Sequence, residues 1–165
     1  MKYYFFIFSF FYASILFAQS KDSYFPIIPG KKVDYKMRGV KFTHSFTDSI
    51  FLEGRMYYFY SKEGPSGYDN IVELIHISND TVYSFKESSP KKHVPKYVLI
   101  PKVGSKVGMA TVVKTNHKLK LKNGRIYSDL LVIKFNHYEM YYYFKKGVGL
   151  IAKKMDGKLF LVIDE

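Results

Sequence analysis

The side chains that could do chemistry in this chain are five histidines, His44, His76, His93, His117 and His137, and a thin scatter of carboxylates. A zinc site needs ligands at short local spacings such as H-x-x-H, H-x-H or H-E-x-x-H. None of these spacings occurs, so no metal ligand is expected, and His76, inside Ile75-His76-Ile77, reads as a hydrogen-bonded sheet residue. A glycosidase sets two carboxyl groups across the bond it cleaves. Glu73 and Glu139 could be brought together by a fold, but each reads first as a solvent-facing or turn residue. Cysteine is absent, which removes thiol catalysis and thiolate metal binding. There is no G-x-S-x-G elbow, phosphate loop or dinucleotide fingerprint. Gly147-Val148-Gly149 has no helix pattern behind it and reads as a bulge or tight bend. No catalytic residue and no cofactor is expected, and the reading is of a non-enzymatic protein.

What the sequence offers instead is aromatic rings. With 16 Tyr and 15 Phe, aromatics make up 19% of the chain, and they gather in two similar runs, RMYYFYSK from Arg55 and EMYYYFKK from Glu139. Side chains alternate between the two faces of a strand. Met56, Tyr58, Met140 and Tyr142 therefore share one kind of face and are the candidate lining of an apolar ligand cavity. Tyr57, Phe59, Tyr141 and Tyr143 share the opposite kind, which charges mark as outer, and are the candidate surface aromatics.

The elements that must position these residues are strands. Period-two alternation recurs along the chain and helical periodicity is hard to find. The pattern places strands near 32–38, 41–46, 49–61, 70–78, 81–86, 96–100, 109–116, 118–122, 128–136, 138–145, 150–155 and 158–163. Asn79-Asp80, Asn123-Gly124 and Asp156-Gly157 sit between alternating runs, where two-residue hairpin turns need positive φ. In KLKLK from Lys118, Leu119 and Leu121 oppose the lysines, whereas Leu130-Leu131-Val132-Ile133 has no alternation and reads as a strand covered on both faces. The expected fold is mainly β, a single antiparallel β-meander domain forming a strongly twisted sheet or an incompletely closed barrel. Two related halves are suggested by the paired aromatic runs and by the Pro29-Gly30 and Pro101 to Val107 lead-ins.

The first residues read as a secretory signal peptide at 1–18: one lysine, an uncharged apolar run over 3–17, then Ala18, Gln19 and Ser20. Cleavage is expected after Ala18 or after Ser20, leaving a single β-rich domain from 19 to 165. The run is shorter than the roughly 20 residues a spanning helix needs, so no transmembrane segment is expected in the mature form. With no cysteine to lipidate, the product is expected to be periplasmic or secreted and not a lipoprotein. The net charge is +12, with 12 basic and 9 acidic residues over 19–100 against 13 and 5 over 101–165. Such an excess favours anionic partners at long range. The later lysines could form a basic face for lipid headgroups or nucleic acid, but they read first as a solvated sheet face that resists edge pairing, and nucleic acid is not the expected partner. A transmembrane barrel is disfavoured by short strands and dense lysines.

Phe25-Pro26 to Tyr35 (FPIIPGKKVDY), the second proline-glycine segment in Ile100 to Val107 and the late YYxFxxGVGL together resemble exported bacterial β-rich proteins described as TapB-like, a family of unknown function. The chain departs from that pattern at Val33, where an aromatic is usual. The resemblance implies an exported β-protein and assigns no site. The functional expectation is an exported binding or envelope-associated protein whose partner is an anionic envelope component or another protein. The alternative is a carrier of an apolar or lipid-like ligand in an open β-barrel cavity.

Overall fold

The computed structural model describes residues 23–66, 70–78, 81–86, 94–98 and 101–164. The expected leader at 1–18, the Asn79-Asp80 turn and His93 lie outside them. Among the described residues there are twelve strands and no helix: β1 (Lys32–Met37), β2 (Val40–Leu52), β3 (Arg55–Glu63), β4 (Ile71–Ser78), β5 (Thr81–Lys86), β6 (Val94–Val98), β7 (Lys106–Val107), β8 (Ala110–Lys120), β9 (Ile126–Phe135), β10 (Met140–Lys145), β11 (Gly149–Met155) and β12 (Lys158–Ile163). They form one antiparallel sheet in the order 6-5-4-3-2-1-12-11-10-9-8-7. Each strand thus pairs with its sequence neighbours, and β1 pairs with β12 through Tyr35↔Ile163. Among the described residues no ladder joins β6 to β7. The two edges nonetheless approach, since a Cβ on Gly108 would stand 3.4 Å from the Pro95 carbonyl oxygen. The result is a strongly curled, incompletely closed sheet, the mainly-β meander that the alternation implies.

The meander divides into β1–β6 and β7–β12, and the two proline-glycine lead-ins stand before β1 and β7. The aromatic runs fall on β3 and β10, the third strand of one set and the fourth of the other, so they are out of step with that division.

Turns and bulges account for the local differences from expectation. The segment 49–61, expected as one strand, is split by a turn at Glu53-Gly54, both with positive φ (48° and 76°). A glutamate is an unusual first turn residue, so the signal was weak. Conversely, the expected break at 46–49 is a bulge inside β2. The expected break at 116–118 is likewise a bend inside β8, where Asn116 (φ 57°) precedes the His117↔Leu130 pair on β8 and Asp129 (φ 58°) precedes it on β9. Asp156-Gly157 forms a turn with both φ positive (48° and 77°), as a two-residue hairpin requires. Gly149 opens β11 at φ 104°, and Pro26 carbons lie 3.5 Å from where its Cβ would be. Glycine adopts that backbone without the strain another side chain would bring.

The curl lets both faces of the sheet bury apolar groups. Leu130, Leu131, Val132 and Ile133 are all at most 3% exposed. Leu130 and Val132 join Tyr143, Ile151 and Leu161 in one cluster, which the bend of β8 and β9 extends to Leu121 and Tyr127. Leu131 and Ile133 join Ala110, Val112 and Phe144 in another, on the inner face. A third, around Phe46, Ile75 and Val82, lies across the curl. Phe25, from the segment that precedes β1, packs against both inner clusters and sets its ring edge-on to Phe46 at 5.9 Å.

Candidate functional site

Inside the curl the sheet leaves a cavity of about 330 Å³. Its apolar lining comes from Phe25, Tyr60 on β3, Ile75 on β4, Ala110 on β8, Phe135 on β9, Tyr142 on β10 and Leu150 on β11. Pro95, Gly108 and Met109 line it where β6 and β7 face each other, and Met109 is 61% exposed there. This volume lies at the small end of ordinary ligand pockets, and mainly apolar walls with few polar groups are typical of them.

The polar groups are His44 on β2, Lys62 on β3, Glu73 on β4 and Lys153 on β11. Lys62 Nζ is ion-paired with Glu73 Oε1, and it also lies 5.2 Å from the Tyr60 ring centroid. Lys153 Nζ stands 4.6 Å from the Tyr142 ring centroid, a cation–π distance. His44 is buried, shares a 2.8 Å hydrogen bond between Nδ1 and Tyr60 Oη, and has the Tyr35 ring at 4.4 Å. Burial, then the charges of Lys153 and Lys62, push its pKa down to about 3 against a partial opposing pull from Glu73. His44 is therefore neutral at physiological pH. Burial also pushes the Tyr142 phenol above its ordinary range.

Of the four side chains expected to line a cavity, Tyr142 does so. Tyr58 is half-buried beside the cavity in the Phe46, Ile75 and Val82 cluster. Met56, 39% exposed, stands next to the β2–β3 turn, and Met140 is half-buried at the start of β10. The reason is position along the strand. Alternation identifies a face, but each residue advances about 3.3 Å, and the cavity sits level with Tyr60 and Lys62 rather than Met56.

The expected surface aromatics require a correction. Tyr57 is 6% and Tyr143 5% exposed, while Phe59 and Tyr141 are half-buried. Tyr57 packs on His76 at 5.1 Å, and Tyr143 packs on His117 at 5.7 Å with Leu130 and Val132 in its cluster. Both faces of the sheet are covered at these points, so the charges beside the rings do not mark an exposed face. His76 lies on β4, buried and stacked on Tyr83 at 5.2 Å.

A second hollow, of about 310 Å³, lies on the opposite face of the sheet and is lined by Lys114, His117, Glu139, Tyr141, Tyr143 and Lys154. Burial, then Lys114 and Lys154, hold the His117 imidazole below its ordinary range. Glu73 and Glu139 thus open into different hollows and do not face each other across one substrate. Among the described residues no three His, Asp or Glu side chains come together as a metal site would need. The later lysines, read as a solvated sheet face, do not share one place: Lys153 enters the cavity, Lys114 and Lys154 line the second hollow, and Lys118, Lys120 and Lys122 are exposed at the far end of the β8–β9 hairpin. The cavity's charged set was not anticipated. Its signal was present, because Lys62 has the same parity as Tyr58 and Tyr60 on β3. No family model, curated protein or solved structure matches this chain.

Proposed function

We propose that this protein is an exported, non-enzymatic carrier that holds an apolar or lipid-like ligand inside its curled sheet. The observation that carries the reading is the cavity of about 330 Å³, lined chiefly by rings and aliphatic side chains and adjoining the seam where β6 and β7 face each other. The seam offers a route for the ligand, since among the described residues no ladder hydrogen bonds join β6 to β7. Export rests on the leader-like run at 1–18, and the resemblance to TapB-like exported proteins is consistent with it.

Straight-chain alcohols of increasing length test the reading. Each methylene buried contributes about 0.8 kcal/mol. Affinity, measured by calorimetry, is therefore expected to rise about fourfold per carbon until the cavity is full and then stop rising. Ala110→Phe, which places a ring in the void, is expected to abolish binding. Affinity that does not depend on chain length, or that survives a folded Ala110→Phe protein, overturns the carrier.

A second reading, attachment to an anionic envelope component, is favoured by the exposed Lys118, Lys120 and Lys122 beside Arg125 and the 63% exposed Ile126. A lysine near an anionic membrane contributes about 1 kcal/mol. Lys120→Gln should thus lower the affinity for phosphatidylglycerol vesicles at low salt about fivefold. Absence of vesicle binding at low salt removes this reading and leaves the carrier untouched.

A further inference from the structure

We infer that Phe25 is the end wall of the cavity and sets the longest chain that its ligand can have. This rests on the carrier reading and specifies the ligand as a single unbranched chain whose apolar end stops against that ring. Next to the cavity of about 330 Å³ lies a smaller space of about 40 Å³, which Phe46, Val148 and Gly149 help to line. Four of the described residues, Phe25, His44, Tyr60 and Leu150, line both. Three of these stand on β2, β3 and β11. Of the four, Phe25 alone comes from outside the sheet, and its ring stands edge-on to Phe46 at 5.9 Å and to Tyr60 at 6.2 Å.

The topology fixes where this wall stands. β8 and β10 both pair antiparallel with β9, so they run the same way. β8 starts from the Gly108-Met109 turn, whereas β10 ends at the turn that leads into Gly149. These two turns therefore lie at opposite ends of the sheet. Gly108 and Met109 line the large cavity but not the small space, and Val148 and Gly149 the reverse. A chain that enters at the seam thus meets Phe25 at the far end. The segment that carries Phe25 is fastened on both sides of the ring. Before it, Gly147 N–H donates to the Ser23 carbonyl at 2.9 Å, and Phe25 N–H donates to Ser23 Oγ at 2.9 Å. After it, Gly30 N–H donates to the Phe46 carbonyl at 2.7 Å, and Lys31 Nζ donates to the Gly147 and Val148 carbonyls at 3.2 and 3.3 Å. A guest therefore meets a held ring, not one that swings aside.

The straight-chain alcohols test this through the position of the limit, the chain length beyond which affinity stops rising. Affinity itself would fall with the loss of any lining contact. In Phe25→Ala the rise is expected to continue past the limit of the unaltered protein. Calorimetry should show an alcohol two carbons beyond that limit binding the variant about fifteenfold more tightly than the limit alcohol, two methylenes at about 0.8 kcal/mol each. The unaltered protein should bind the two alike. Phe25→Leu, which keeps an apolar side chain against Phe46, should move the limit the same way by less. Met109→Ala, at the opposite end, should leave it in place. A limit that stays put in both Phe25 variants, or in Phe25→Leu if the alanine variant does not fold, overturns the end wall and leaves the carrier standing. An equal gain in Met109→Ala also overturns it. Absence of alcohol binding by the unaltered protein overturns the carrier itself.

Discussion

Between pH 7.5 and 4.5 the protein is expected to lose about 2–3 kcal/mol of unfolding free energy, the largest part of it through His44. His44 is 7% exposed, and burial, then Lys153 and Lys62, push its pKa from 6.5 down to about 3. The folded state therefore takes up this proton at lower pH than the unfolded chain does. The contribution of neutral His44 is fully present above the unfolded value of 6.5 and is lost as pH falls from there towards about 3. Asp34 acts in the same direction, since hydrogen bonds from Lys41 and Thr43 hold its carboxyl below its ordinary 3.8. Its contribution, however, disappears only at more acidic pH, so the interval from 6.5 to 4.5 belongs to the histidines. His117, also held low, adds to the slope. Urea unfolding at the two pH values measures the loss. His44→Asn keeps a short acceptor near Tyr60 Oη and removes the titration, so most of the pH dependence should vanish. An undiminished loss in His44→Asn places its origin elsewhere and sinks this account.

The architecture was more legible than the site because the two rest on different information. Strand identity and turn chemistry are local: Asp156-Gly157 announces its hairpin, and the unbroken Leu130 to Ile133 run announces a strand buried on both sides. The Glu53-Gly54 turn was hidden by its chemistry, since a glutamate at positive φ looks like an ordinary strand residue between Leu52 and Arg55. Bulges were hidden too. Those in β8 reset the parity, so alternation counted from Lys118 cannot be carried back to Val112. The cavity depends on something no single strand records, namely which residues on distant strands stand at the same height once the sheet curls. Parity alone selects Met56 and Met140 along with Tyr142, and Lys62 and Lys153 reach the same cavity from strands with three others between them. Reading charge as a mark of the outer face failed for the same reason: Lys62, Glu73 and Lys153 carry their charges inward, where they compensate one another in part.

Substituting alanine for either of two adjacent rings on β10 is expected to cost about 3–5 kcal/mol in each case, although the rings face opposite ways. Phe144, 2% exposed, is among the largest fully buried side chains and packs with Ala110, Val112, Leu131 and Ile133 on the inner face. Tyr143, 5% exposed, packs on the other face with Leu130, Val132, Ile151 and Leu161. A sheet with one dry and one wet face would make the first substitution severe and the second mild, as surface changes stay within about 0.5 kcal/mol. Two covered faces make both severe. Tyr143→Phe separates the ring from its hydroxyl: with packing as the main contribution, it should cost far less than Tyr143→Ala. Tyr141, half-buried at the edge of the second hollow, supplies the comparison, and Tyr141→Ala should cost about 1 kcal/mol. Urea unfolding of the variants gives the ranking. A Tyr143→Ala protein as stable as Tyr141→Ala would mean that the β10 ring run has an open side, and the surface role first expected for Tyr141 and Tyr143 would return.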